Sequence, residues 1–180
     1  YNYTLNNKTL DELINFSLLK DEKNILVQIF CGDKKNILEE ILAILTKKLP
    51  LAICIGSSTD GEINNAEITT LKTVISISTF EKTTLKTIHI EEKDSFKNGV
   101  LLAQALCCEN TKLLLTFTDG GTTNGEEFLN GIASINSKVL VSGGMAGDNA
   151  HFTQTFISSQ NNILTRGSVG VSFNSDDLKV

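Results

Sequence analysis

The chain has 180 residues, 41% of them hydrophobic, a formal net charge of −5 at pH 7, and Arg166 as its single arginine. That is enough apolar material for a sizeable core, and it leaves no basic stripe to neutralise a phosphate backbone, which argues against nucleic acid as a partner. No apolar run reaches the roughly 18 residues that a bilayer crossing needs, and no charged segment precedes an apolar stretch at the start, so the chain as given reads as soluble, with no membrane contact.

Thr9-Leu10-Asp11-Glu12 has the S/T-x-x-E form of a capping box, and Leu10, Leu13, Ile14 and Leu18 predict a surface helix over about residues 10–20. Asn24–Phe30 is an apolar run of strand length that ends at the turn Cys31-Gly32-Asp33. Ile37, Leu38, Ile41, Leu42, Leu45 and Leu49 then recur at helical spacing, and Leu51–Ile55 is a second buried strand. Strand, helix and strand at this spacing predict a parallel βαβ unit. Thr73–Phe80 and Leu85–Ile90 follow as strands, and Asp94–Leu106 as a helix. The pattern then returns: strand Lys112–Phe117, amphipathic helix Asn124–Ile135 opened by a capping box Thr123-Asn124-Gly125-Glu126, and strand Lys138–Ser142. His151–Ser158 and Ser168–Phe173 read as further strands, with hairpin turn chemistry in Ser158–Asn162.

The two units superpose without a gap at an offset of about 87 residues, Phe30 on Phe117 and Gly56 on Gly143, which suggests repeat halves over 24–92 and 111–175. The expected fold is α/β, with mixed sheets built from two βαβ units and added antiparallel strands in one domain over 1–180. The start at Tyr1 and the end just after a strand-like segment read as a domain cut from a longer protein. Cys31, Cys54, Cys107 and Cys108 have no C-x-x-C spacing and read as reduced thiols.

Three glycine-rich loops follow buried strands: Gly56–Gly61, Asp119–Gly125 and Gly143–Asp148. In open α/β sheets, ligands bind beyond the carboxyl ends of the strands, so all three are expected to border one pocket. The candidate ligand-binding residues are Ser57, Ser58, Thr59 and Glu62 from the first loop, and Asp119, Gly120, Thr122 and Asn124 from the second. The third supplies Gly143, Gly144, Met145, Ala146, Gly147 and Asp148, with His151 just beyond. The G-x-x-x-x-G frame of the first loop continues into Glu62-Ile63 where a phosphate loop needs Lys and Ser/Thr, so an ATPase reading fails. Gly143-Gly144-x-x-Gly147 leads into a strand-like segment and not a helix, which argues against a dinucleotide. Ser57 or Ser58 as a hydrolase nucleophile would have only His89 and His151 as bases, and G-x-S-x-G would need glycine at Asp60. Carboxylates at Glu62, Asp119 and Asp148 suit recognition of a ligand amine, with helix N–H groups near Gly125 receiving a carboxylate, a combination that fits an amino acid.

Taken together, "IGSSTDGEI", "TFTDGGTTNGEEFL" and "VSGGMAGDNAHFTQTFI", in that order, resemble the N-terminal FIST domain, a bacterial sensory module. Ser57 stands where the family's loop usually has cysteine and Asp60 where it usually has alanine. The resemblance implies a non-enzymatic cytoplasmic sensor of amino acids or related metabolites without a cofactor. It implies attachment to a C-terminal FIST portion or to an output domain such as a diguanylate cyclase, histidine kinase or chemoreceptor module, and leaves a homodimer open. Some relatives look like haem-dependent nitric-oxide sensors. Here that alternative would require His151 or His89 as axial ligand.

Overall fold

In the strand Ile25–Cys31 (β2), Ile25, Val27, Ile29 and Cys31 face one way and Leu26 and Phe30 the other, and both sets meet apolar partners. A strand apolar on both faces must lie between two covering layers. The computed structural model, which describes residues 1–5 and 8–180, shows those layers.

The first sheet contains β1 (Asn2–Leu5), β2, β3 (Ile53–Ser58), β6 (Thr73–Thr79), β10 (Ile157–Ser159) and β11 (Asn162–Leu164) in the order β1-β6-β2-β3-β10-β11. Its outer face is covered by α1 (Leu10–Leu13) and α2 (Lys35–Lys48), whose Leu38, Ile41, Leu42 and Leu45 share a core with Val27, Ile29 and Ile75. The second sheet contains β7 (Thr84–Ile90), β8 (Thr111–Thr118), β9 (Leu140–Met145) and β12 (Ser168–Asn174) in the order β7-β12-β8-β9. On its outer face lie α3 (Ser95–Leu106) and α4 (Gly125–Ile135), sealed by Leu102, Leu106, Phe128 and Ile132. Between the sheets, Leu26, Ile55, Phe117, Val169 and Phe173 form the inner core, with the Phe30 and Phe117 rings edge to face at 5.7 Å. A short hairpin of β4 (Glu62–Asn64) and β5 (Glu67–Thr69) completes the set.

Both βαβ units form parallel pairs, β2 with β3 and β8 with β9, while the remaining pairings are antiparallel. The fold is therefore mixed α/β, as the alternation of elements implies. Of the two strands read after the first βαβ unit, β6 stays on the first sheet and β7 crosses to the second. Three local expectations are corrected. The helix over 10–20 is one turn of α-helix followed by a 3₁₀ turn, Phe16–Leu19, because the Asn15 side chain accepts the Ser17 N–H and competes with the helical backbone. The cap of α4 is Asn124, whose Oδ1 accepts from Glu126 and Glu127 N–H, while the Thr123 hydroxyl donates elsewhere. Finally, residues 151–156 are irregular, and only Ile157–Ser159 pairs with β3. The Asp148 carboxylate collects the N–H groups of Phe152, Thr153 and Gln154, and Asn149, Ala150 and Phe152 take positive φ, which holds the segment off the ladder.

The two outer helices cross backbone to backbone. A Cβ on Gly99 of α3 would strike the Phe128 carbonyl oxygen, and one on Gly131 of α4 the Phe96 carbonyl oxygen. All four cysteines are free thiols: Cys31 and Cys54 are buried, Cys107 is half-buried and Cys108 is exposed. Burial pushes the Cys54 thiol up to about 12. With a chromogenic disulfide reagent, Cys108 is expected to react first in the native protein and Cys54 only after unfolding. A Cys108→Ser chain that kept the fast phase would contradict this. Among the described residues, no helix is long and apolar enough to cross a membrane.

Candidate functional site

The carboxyl ends of β3, β8 and β9 bring the three glycine-rich segments together, although two of them are not loops throughout. Gly56, Ser57 and Ser58 lie within β3, and Gly143, Gly144 and Met145 within β9. The Ser57 hydroxyl donates to the Ser58 carbonyl at 2.9 Å, and the Ser58 hydroxyl accepts the Phe156 N–H at 2.9 Å. Gly147 N–H reaches the Ser58 carbonyl at 2.9 Å, so the third segment is stitched to the first sheet's strand end.

Each of the three predicted carboxylates is engaged by the protein itself. Glu62 is buried, accepting the Thr59 hydroxyl at 2.6 Å and the Lys72 N–H at 3.2 Å. Asp119, 1% exposed, accepts the N–H groups of Gly121, Thr122 and Gly167 and the hydroxyls of Thr122 and Thr123, at 2.6–3.1 Å. Burial pushes its pKa up, but these bonds, led by Thr123 and the Gly167 N–H, outweigh it and hold the carboxyl below the ordinary aspartate value. Asp148 is held low by the N–H of Thr153 first, against the opposing effect of burial, then by Phe152 and Gln154.

The glycines have separate reasons. Gly143 has φ +134°, and a Cβ there would run into the Thr116 carbonyl oxygen, whereas Gly144 has nothing within 4 Å of a Cβ. At Gly120 a Cβ would strike the Ala146 carbonyl oxygen, so the second and third segments touch main chain to main chain.

Four cavities open around this junction, one of about 480 Å³ on the α4 side of β9, between Gly143–Met145 and Gly125, Phe128 and Leu129, and three at the strand ends. The largest, about 620 Å³, brings Asp119, Gly120, Thr122, Ala146, Gly147 and Asp148 together and adds Asp60, Gly121, Thr155 and Arg166. A neighbour of about 530 Å³ is lined by Thr59, Asp60, Gly61, Gly120 and Met145–Gly147. A third, about 380 Å³, lies between Phe30, Ser57 and Thr59 on one sheet and Phe117, Gly143, Gly144 and Met145 on the other. Ser58, Glu62, Asn124 and His151 line none of the three. Asp60 and Arg166 are the charged wall residues outside the predicted set. Arg166 could have been noticed as the lone arginine one residue before Gly167, which has φ +95°.

The haem alternative rests on His151 or His89 as axial ligand, which would have to be directed at an apolar slot. His151 is exposed on the irregular segment, and His89 sits half-buried in β7 opposite Val169, on the face turned towards the first sheet. Neither lines these cavities, so neither histidine is placed to be an axial ligand there. Neither serine hydroxyl has a histidine partner, as a nucleophile would require.

The family model of the FIST N domain matches residues 25–180, a span that takes in both βαβ units and all three glycine-rich segments. The chain belongs to the FIST N domain family. FIST N domains are sensory domains of signal-transduction proteins and not catalytic domains. In this FIST N domain the three glycine-rich segments wall the cavities at the strand ends. No curated protein matches the chain.

Proposed function

We propose that this FIST N domain senses a small polar ligand, an amino acid or a related metabolite, in the 620 Å³ cleft and reports its occupancy to an attached output domain. The observation that carries the reading is the cleft's position and rigidity. It lies beyond the carboxyl ends of parallel strands, and its walls are fixed by internal hydrogen bonds before any ligand arrives. Such preorganisation keeps the entropic cost of binding low. The walls come from segments that follow strands of both sheets, so occupancy bears on both, and differential affinity for two arrangements of the sheets is what would pass a signal to a diguanylate cyclase, histidine kinase or chemoreceptor module.

A thermal-shift screen with amino acids, their amides and small carboxylates tests the reading. A ligand at about 100 times its dissociation constant adds about 2.7 kcal/mol, a rise of several degrees at this size. Gly121→Val fills the cleft, and its Cβ meets only Asp119 Oδ1, at 3.9 Å. It is expected to erase the ligand shift while the unliganded melting temperature stays within about 2 °C. An unchanged shift would place the ligand elsewhere, and Gly144→Val, at a residue that lines both the 380 Å³ and the 480 Å³ cavity, tests the neighbouring positions.

A further inference from the structure

Of the four strands that end the two large sheets, three are protected by shortness or charge. β1 and β11 have four and three residues, and β7 carries Lys86 and His89. β9 has six residues, none of them charged, and pairs only with β8 among the described residues. Half of its main chain is used there. Ala146 donates its N–H to the Thr118 carbonyl at 2.8 Å, and the Ser142 carbonyl accepts the Thr116 hydroxyl at 3.5 Å. By the alternation of a parallel ladder, Ser142 and Gly144 turn their main-chain groups towards β8, while Val141, Gly143 and Met145 turn theirs to the open edge. That edge is a template for one more strand.

A cavity flanks the edge on each face. The register with β8 puts Leu140, Ser142 and Gly144 on the face of Leu115 and Phe117, turned towards the first sheet, and Val141 and Gly143 on the face of Leu114, beneath α4. On the first face lies the 380 Å³ cavity, where a Cβ on Gly144 would meet nothing within 4 Å. On the second lies the 480 Å³ cavity, between Gly143 and the side chains of Phe128 and Leu129. An added strand would send alternate side chains into the two, and the space is widest for large residues opposite Gly144 and Gly143.

The strand that supplies such residues in that order is β9 itself. Turned antiparallel about Ser142, a second copy brings the partner's Leu140 opposite Gly144 and the partner's Val141 opposite Gly143, and the two-fold repeats both contacts. A turn about Gly143 instead would set glycine against glycine and fill neither cavity. We propose that β9 is a self-complementary seam, through which two copies of this chain pair antiparallel across a two-fold axis at Ser142 and join their four-stranded sheets into one. The Val141 and Gly143 pairs exchange the main-chain hydrogen bonds, and the two serines face each other at the axis. The contact is short, so the dimer forms in about the micromolar range and dissociates on dilution. It is independent of what the cleft binds.

Sedimentation equilibrium of the whole chain tests the seam. The mean mass is expected to rise from that of one chain to that of two as concentration passes through the micromolar range. Ser142→Asp sets two carboxylates against each other at the axis and should weaken association about tenfold or more. Ser142 is exposed, so the melting temperature of the dilute protein should not move. The register is read by disulfide trapping in a Cys108→Ser background, which removes the exposed native thiol. There Ser142→Cys should give a linked dimer on mild oxidation, since directly opposed residues of an antiparallel pair lie within disulfide reach. Leu140→Cys, which faces Gly144 and not its own copy, should not. A chain that stays monomeric at every concentration would overturn the proposal, and so would a dimer that Ser142→Asp leaves intact. Equal trapping of both cysteines, or an edge that pairs only with an unlike protein, would overturn it as well.

Discussion

Asp119→Ala is expected to destabilise the protein by about 4 kcal/mol, which at this size is a fall in melting temperature of about 8–16 °C. The side chain is small, and little apolar area is lost. What is lost is the common acceptor for three backbone N–H groups and two hydroxyls drawn from residues 121–123 and from Gly167, far away in the chain. Each donor left buried without a partner carries its own desolvation penalty. Asp119→Asn keeps one acceptor oxygen and is expected to cost about half as much. The charge also sets a pH dependence. The carboxyl is held below its unfolded value, so its contribution is fully present above the unfolded pKa near 4 and is lost as pH falls through the lower folded value. Urea unfolding at pH 7 and at pH 3 should show the unaltered chain losing stability on acidification and Asp119→Asn losing less of it. Parallel losses in both would show that Asp119 does not carry this effect.

Gly143→Val is expected to cost about 3 kcal/mol or more, whereas Gly144→Val should stay within about 0.5 kcal/mol of the parent. The two positions are neighbours in the same exposed strand, and composition treats them alike. Their backbones do not: Gly143 adopts a left-handed φ with the Thr116 carbonyl directly over its α-carbon, while Gly144 is open and extended enough to accept a β-branched side chain. Denaturant midpoints of the two valine variants decide the matter, and equal midpoints would mean that the main chain at 143 relaxes without penalty.

The elements that could be read from the residues are those whose pattern is local. Ile37 through Leu45 fall on one helical face, and Leu113 through Phe117 are apolar on both sides, so helix and buried strand follow from periodicity alone. The division of β6 and β7 between sheets could not be read, because Val74–Ser78 and Leu85–Ile90 carry similar alternation and pairing is settled by partners far off in the chain. At the candidate site the glycine-rich segments stand out in the sequence, but the state of each polar group does not. Ser58 looks free until Phe156 is seen donating to it, and Asp119 looks like a ligand until Gly167 is found on it. Asp60 and Arg166 are plain in the sequence, but that they line one cleft is seen only in the fold.

The glycine contacts between α3 and α4 have a mechanical consequence. With Gly99 against one carbonyl and Gly131 against another, sliding either helix along the other would drive an oxygen into an α-carbon, so the pair translates as a plate. The start of that plate, Gly125, abuts Met145 at the end of β9, whose Sδ lies 3.3 Å from the position of a Cβ there. A small displacement of the strand end beside the cleft is therefore not absorbed by one compliant helix, but is handed to the whole outer layer of the second sheet.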